Sequence, residues 1–239
     1  MIGLILQARM GSTRLPGKVL KPIGDKLLLG YIQSQLENVK SHVKLVVATS
    51  QNPLDDKIQE FCLAHKIDCY RGSEENVLER YYLCAKEKGF SHIVRLTADN
   101  PFVDPEEIDR LIETHLRGQN DFTYSFQELP VGVGAEIFTF GALEEVYRRS
   151  TMPHHFEHVD EYLLENMDRF KTGKPAVPES KRYPEVRLTV DTEEDYKKAL
   201  FIAEKASGKF ITTERAVELC TEYALKHHTK EEWATSIEP

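Results

Sequence analysis

Long apolar runs are missing from this 239-residue chain. None approaches the roughly 18 residues that a membrane-crossing helix needs, and the apolar opening, residues 1–6, meets Arg9 too soon to form the core of a secretion signal. A cytoplasmic protein with no membrane partner is predicted. Cysteine is scarce: there are four residues, at positions 62, 69, 84 and 220, and no CxxC pair. Cys62, Cys84 and Cys220 fall in stretches that read as helices with apolar neighbours, which points to reduced core thiols rather than a disulfide, a zinc site or a nucleophile. Cations are also in deficit, since 31 lysines and arginines against 39 acids give a net charge of −8. That balance argues against a surface built to grip nucleic acid or anionic lipid, so an anionic ligand has to be met locally. Neither GxxxxGKS/T nor GxGxxG occurs, which disfavours a P-loop ATPase and an NAD enzyme.

What is present is an ordinary globular balance, 41% hydrophobic and 29% charged, on a length that suits one large domain or one domain with an insert. Residues 2–7, 43–49, 68–71 and 92–97 are short apolar or β-branched runs, each followed by helical spacing. Leu28, Ile32, Leu36 and Val39 recur at steps of three or four, as do Leu54, Ile58 and Phe61, then Val77, Leu78, Tyr81, Tyr82 and Ala85. Asn52 before Pro53 and Asp104 before Pro105 read as helix starts, and Gly89 and Gly118 as helix stops. This βαβα alternation predicts an α/β fold with a doubly wound, mostly parallel sheet. After residue 121 the pattern loosens, with a strand expected at 135–140, helices at 142–149 and 156–165, and a polar link at 171–183. Residues of about 126–183 could form an inserted lobe for sugar binding or dimerisation. A strand at 186–190 is expected to return to the sheet, with helices at 192–206 and 213–226 closing the fold.

Ligands of open parallel sheets bind beyond the carboxyl ends of the strands, which directs attention to three loops. The first runs from Ala8 to Lys18 and carries Arg9, Arg14 and Lys18, the glycines Gly11 and Gly17, and the hydroxyls Ser12 and Thr13, with no acid before Asp25. Such a cationic, glycine-bearing loop suits a polyphosphate. Asp99 leaves the 92–97 strand and Asp191 the 186–190 strand, and a carboxylate beside phosphates makes sense chiefly with a divalent cation between them; magnesium fits. Thr192 and Asp195 form a capping-box pair, so Asp195 is assigned to structure. Arg71, after the third strand, could reach a phosphate or base, or be a solvated charge. The run His154-His155-Phe156-Glu157-His158 does not match HExxH, and nothing fixes a zinc ligand shell there.

These residues carry a family resemblance. Residues 7–18, Gln-Ala-Arg-Met-Gly-Ser-Thr-Arg-Leu-Pro-Gly-Lys, are similar to the opening motif of the cytidylyltransferases that activate acidic sugars, such as acylneuraminate and 3-deoxy-manno-octulosonate cytidylyltransferases. The similarity is greatest to their branch named for spore coat polysaccharide biosynthesis protein F. It continues through residues 72–81, 95–101, 157–159 and 188–195, and covers roughly the first 200 residues.

The resemblance implies a single nucleotidyltransferase domain over residues 1–239 with the nucleotide-diphospho-sugar transferase (GT-A-like) fold. It further implies transfer of CMP from CTP to an acidic sugar with release of pyrophosphate, and a homodimer. CTP would be bound through Ala8, Arg9, Gly11, Ser12, Arg14, Lys18 and Arg71, with Lys18, Arg14 and Asp99 as catalytic groups. Asp99 and Asp191 would hold magnesium, and Glu136 or His158 would touch the sugar. The chain departs from the branch at Val131 and Gly134, where acids are usual, and at His155-Phe156, where an arginine is usual. A glycosyltransferase of the same fold is the alternative enzyme, opposed by the absence of DxD at Asp99-Asn100-Pro101; a non-catalytic nucleotide-binding partner in a polysaccharide pathway is the alternative outside catalysis. Lys18 is expected to be dispensable for folding.

Overall fold

The structure, a computed structural model, describes residues 1–227 apart from Ser207 and Lys209. Residues 228–239 of the expected single domain lie outside the described part. In chain order the first half runs β1 (Ile2–Gln7), β2 (Pro22–Ile23), β3 (Lys26–Leu27), α1 (Leu28–Leu36), β4 (Val43–Ser50), α2 (Asp56–Ala64), β5 (Asp68–Gly72), α3 (Val77–Lys88), β6 (His92–Thr97) and α4 (Pro105–Gly118). There follow β7 (Phe122–Tyr124), β8 (Glu136–Thr139), α5 (Phe140–Arg149), α6 (Pro153–Glu157), α7 (Glu161–Glu165), β9 (Thr172–Gly173), α8 (Glu193–Lys205) and α9 (Thr213–His227).

The main sheet has the order β5-β4-β1-β6-β8-β7-β9. Its first four strands are parallel, and the register sets Gln7 beside both Ala48 and Thr97, so the chain leaves β1, β4 and β6 at one rim. Side-chain alternation along these strands feeds a core on each face. Leu4, Leu6, Val47, Val94 and Leu96 pack with residues of α1, α4, α8 and α9, whereas Ile5, Val46, Ala48 and Ile93 pack with α3 and α5. Asn52 caps with its side chain accepting from Leu54 N, and Asp104 accepts from Glu106 N, as their sequence positions before proline predict. Helix α4 includes Gly118 and ends instead on Gln119, which takes the left-handed conformation at φ 47°. Among the described residues, no helix is long and apolar enough to cross a membrane.

Two elements differ from the sequence reading. Residues 186–190 do not enter the ladder, because the place beside β6 is taken by the antiparallel strand β8. The segment is extended but tied to loops: Val131 N donates to Val186 O at 2.9 Å, Leu188 N to Val131 O at 2.8 Å and Val190 N to Asp99 O at 2.8 Å. The helix expected at 156–165 splits into α6 and α7. His158 is extended (φ −113°, ψ 107°), and Val159 turns fully into the core on the α3 face.

Residues 126–183 contribute to both cores, through Leu129, Val133 and Val177 on one face and Val159, Leu163 and Phe170 on the other. Within this stretch the polar link is anchored by Lys181, whose buried ammonium meets Asp104 at 2.8 Å and Glu107 at 3.1 Å. Asp104 also accepts from Thr213 Oγ1 at 2.7 Å, so one buried carboxylate joins the link, α4 and the start of α9.

Candidate active site

The loop after β1 is held in shape by its own backbone and by a buried acid. Met10 N donates to Asp55 Oδ1 at 2.7 Å, Ser12 N and Gly17 N both donate to Met10 O at 2.9 and 3.0 Å, and Gly17 takes φ +68°. A residue with a Cβ is strained there, so Gly17 permits the reversal that turns Lys18 inward. Gly11, by contrast, has open space where a Cβ would stand.

Lys18 is 8% exposed and its Nζ has three partners: Val190 O at 2.8 Å, Asp191 Oδ1 at 2.9 Å and Asp99 Oδ2 at 3.1 Å. One ammonium thus joins the first loop to the ends of two other segments. Lys18 is therefore a structural tie as well as a cation at the rim, a role that the sequence reading did not foresee. Asp99 is oriented by Thr97 Oγ1, which donates to Asp99 Oδ1 at 2.6 Å. Asp191 is oriented from behind: Asp195 Oδ2 accepts from the backbone N–H of Asp191 at 3.1 Å and of Thr192 at 3.0 Å, completing the capping box of α8. Burial works against the Asp191 charge, but Lys18, Arg14 and Arg187 together hold its carboxyl below the usual range.

Ala8, Arg9, Ser12, Arg14, Lys18, Asp99, His158 and Asp191 wall one cleft of about 330 Å³. Arg14 is largely exposed and reaches Asp191 at 3.2 Å. Arg71 does not join them. It sits on β5 at the sheet edge, where Ser50 O and Asn52 O each accept from it at 2.9 Å and Gln59 and Asp56 take its Nη1.

Glu136 stands in a neighbouring cavity of about 280 Å³ that shares Thr97 with the cleft. On β8 it faces Arg95 of β6, pairing with its Nη1, and Asp160 Oδ1 lies 3.5 Å from the same nitrogen. Burial pushes the Glu136 carboxyl up to about 7; Arg95 opposes this and Asp160 adds to it. For Arg95 burial also opposes the charge, and the two acids more than restore it, so the guanidinium stays charged. Sequence reasoning missed this pair. A charged residue within the otherwise apolar run of β6 was the available signal, because a buried charge requires a partner; nothing local marks Asp160.

Gly134 has a steric reason for its departure from the branch. A Cβ there would lie 2.5 Å from Phe126 Cα, so an acid does not fit this backbone. The histidine run divides. His158 faces the cleft, whereas His154 and His155 donate to Glu165 at 2.8 and 2.9 Å. Met152 N donates to His155 Nδ1 at 3.3 Å, and one ligand atom from each of His154, His155 and Glu165 lies within 4.8 Å of the others.

A family profile described as cytidylyltransferase matches residues 3–218. The chain is 38% identical over 210 residues to the spore coat polysaccharide biosynthesis protein SpsF of Bacillus subtilis (strain 168), covering 86% of this chain and 87% of that one. It is 31% identical over 170 residues to 3-deoxy-manno-octulosonate cytidylyltransferase of Chlamydia trachomatis serovar A, covering 64% of each. The solved structure of a cytidylyltransferase from Leptospira borgpetersenii superposes with a TM-score of 0.88 at 32% identity, over 95% of this chain and 98% of that one. The cationic loop, Asp99 at the end of β6 and Asp191 stand within the matched span, on the nucleotide-sugar transferase fold: this chain belongs to the cytidylyltransferase family.

Proposed function

We propose that the protein transfers CMP from CTP to an acidic sugar, with release of pyrophosphate, in the assembly of a surface polysaccharide. The observation that carries the reading is the convergence of Lys18, Asp99 and Asp191 under a loop that also bears Arg9 and Arg14. In the proposed reaction a hydroxyl oxygen of the sugar gives its proton to solvent and attacks the α-phosphorus of CTP, a P–O bond forms, and the bond to the pyrophosphate oxygen breaks. Such transfers depend chiefly on positioning and on neutralising charge. Arg9, Arg14 and Lys18 would pair with phosphate oxygens, Ser12 would donate to them, and Asp99 and Asp191 set the orientation of Lys18. Glu136 and His158 are proposed to face the sugar.

The donor set at this point suits magnesium, because two carboxylates are turned toward one cation and magnesium takes one or two protein carboxylates together with phosphate oxygens. When bound, the ion would spread the phosphate charge and so favour the leaving of pyrophosphate. The sugar class is supported by the names of two relatives, one acting in spore coat polysaccharide biosynthesis and one on 3-deoxy-manno-octulosonate.

Thermal melts test the reading. A ligand that binds only the folded state raises the midpoint by mass action. CTP with magnesium is expected to raise it more than ATP, GTP or UTP; an unchanged midpoint at millimolar CTP would overturn the proposal.

A further inference from the structure

The two histidines that stay out of the cleft form a second constellation, across the break between α6 and α7. His154 and His155 are neighbours on α6 with ring centroids 4.3 Å apart, and each turns Nε2 to a different oxygen of Glu165 on α7, at 2.8 and 2.9 Å. The sequence run supplies the histidines; the third ligand comes from the next helix. Two imidazoles and a carboxylate are a donor set that zinc takes with water in the fourth position. In a tetrahedral site with bonds of about 2.0–2.1 Å, neighbouring ligand atoms stand about 3.3 Å apart, so the triad has to open by roughly half an ångström to admit the ion. It has the freedom to do so, because the side chains of His154 and Glu165 are 41% and 47% exposed, while His155, at 5%, is held in place with the Tyr162 ring edge-on to it at 5.4 Å. The two imidazoles, His155 foremost, hold the Glu165 carboxyl below its usual range, so it is ionised as a ligand has to be. A metal at Nε2 of His155 places the ring proton on Nδ1 and gives up the long 3.3 Å contact from Met152 N; Met152 is an exposed residue, so water can replace that partner.

We propose that His154, His155 and Glu165 form a zinc site that ties α6 to α7. The site is separate from the magnesium chemistry proposed at Asp99 and Asp191, where the donors are oxygens alone, and it does not depend on the cytidylyl-transfer reading. Imidazole nitrogen favours zinc, whereas magnesium prefers carboxylate and water oxygens, so the two ions are sorted by their donors. The tie spans residues 158–160, which place His158 on the wall of the cleft, Val159 in the core and Asp160 beside Arg95. A bound ion would therefore steady the short segment from which His158 and Asp160 reach the two neighbouring cavities.

The test is a zinc titration of the full chain, stripped of metal with EDTA and then kept in millimolar magnesium so that sites built from oxygen ligands are filled. Competition with a chromophoric chelator should show one zinc per chain with Kd below about 1 µM, and zinc should raise the melting midpoint by mass action. Cobalt(II) in its place should give the visible absorption of a four-coordinate ion. His154→Ala and Glu165→Gln, both at exposed positions, should fold and melt close to wild type in EDTA, weaken zinc binding by at least about tenfold each and lose the zinc-dependent rise. Asp99→Asn with Asp191→Asn should bind zinc as the wild-type protein does. No binding at about 10 µM free zinc, or binding that the His154 and Glu165 variants retain, overturns the inference. Variants that melt lower in EDTA, with no response of the wild-type protein to zinc, would make the three side chains a hydrogen-bonded clamp and overturn it equally. None of these measurements uses CTP, so their failure leaves the proposed reaction standing.

Discussion

Replacing Lys18 with methionine keeps the apolar stem and removes the ammonium, leaving Asp99 and Asp191 facing each other and Val190 O without its donor. Removing one partner of a fully buried ion pair typically costs about 3–5 kcal/mol. Here the acid side chains keep 29% and 17% exposure, and Asp191 retains Arg14 and Arg187, so solvent and neighbours offset part of that loss. A cost of about 2 kcal/mol follows. For a domain of this size, that is a fall of roughly 4–8 °C in the melting midpoint without divalent metal. Magnesium should restore part of the loss in the variant and do less for the wild-type protein, because the variant presents the two carboxylates without a competing cation. Pyrophosphate release should fall by about 10² to 10³-fold, the scale of one electrostatic stabiliser. Differential scanning fluorimetry in EDTA and in magnesium, with the pyrophosphate assay alongside, reads all three effects. A variant that melts within about one degree of wild type in EDTA would refute the account of Lys18 as a tie between the loop and the two acids.

Asp99→Asn and Asp191→Asn should each raise the magnesium concentration needed for half-maximal activity, and the double variant should lose less than the sum of the two, since both act on one ion; full additivity, or magnesium dependence untouched by either, contradicts the shared site. Asp195→Ala removes the capping box and the hold on Asp191 N, so it should lower stability by about 1 kcal/mol and shift magnesium dependence less than loss of either Asp99 or Asp191 does. Glu136 gives a pH prediction whose sign follows from its raised carboxyl. With a folded value of about 7 against an ordinary 4.5, the folded protein holds a proton that the unfolded chain has released, so this group's contribution to stability falls as pH rises from about 4.5 to 7 and is level above that. Glu136→Gln should flatten the midpoint over that window, and an unchanged slope would show that the buried carboxyl is not the source.

The parallel half of the fold is legible because β1, β4 and β6 are buried on both faces and read as apolar runs, and because proline and asparagine or aspartate mark the starts of the following helices. The acids Asp99 and Asp191 are legible for the same reason, as charges at the ends of apolar runs. Residues 186–190 show the limit of that signal. Leu188 and Val190 are 1% and 0% exposed, so their pattern reports burial correctly, yet burial does not say whether the backbone partner is a strand or a loop. The break between α6 and α7 has a similar origin, since Val159 and Asp160 leave the helix for partners distant in sequence, in the α3-face core and at Arg95. Arg71 has the right position at a strand end but on the edge strand, and strand order is set by pairing that local sequence does not encode.

The central claim is most directly tested by pyrophosphate release measured with ATP, GTP, UTP and CTP against a set of acidic sugars and phosphates of neutral sugars. The account predicts release with CTP, dependent on magnesium and on an acidic sugar, and none above background in Asp99→Asn with Asp191→Asn. Release with another nucleotide in preference to CTP, or no release from CTP with any acceptor while CTP still binds, would contradict it.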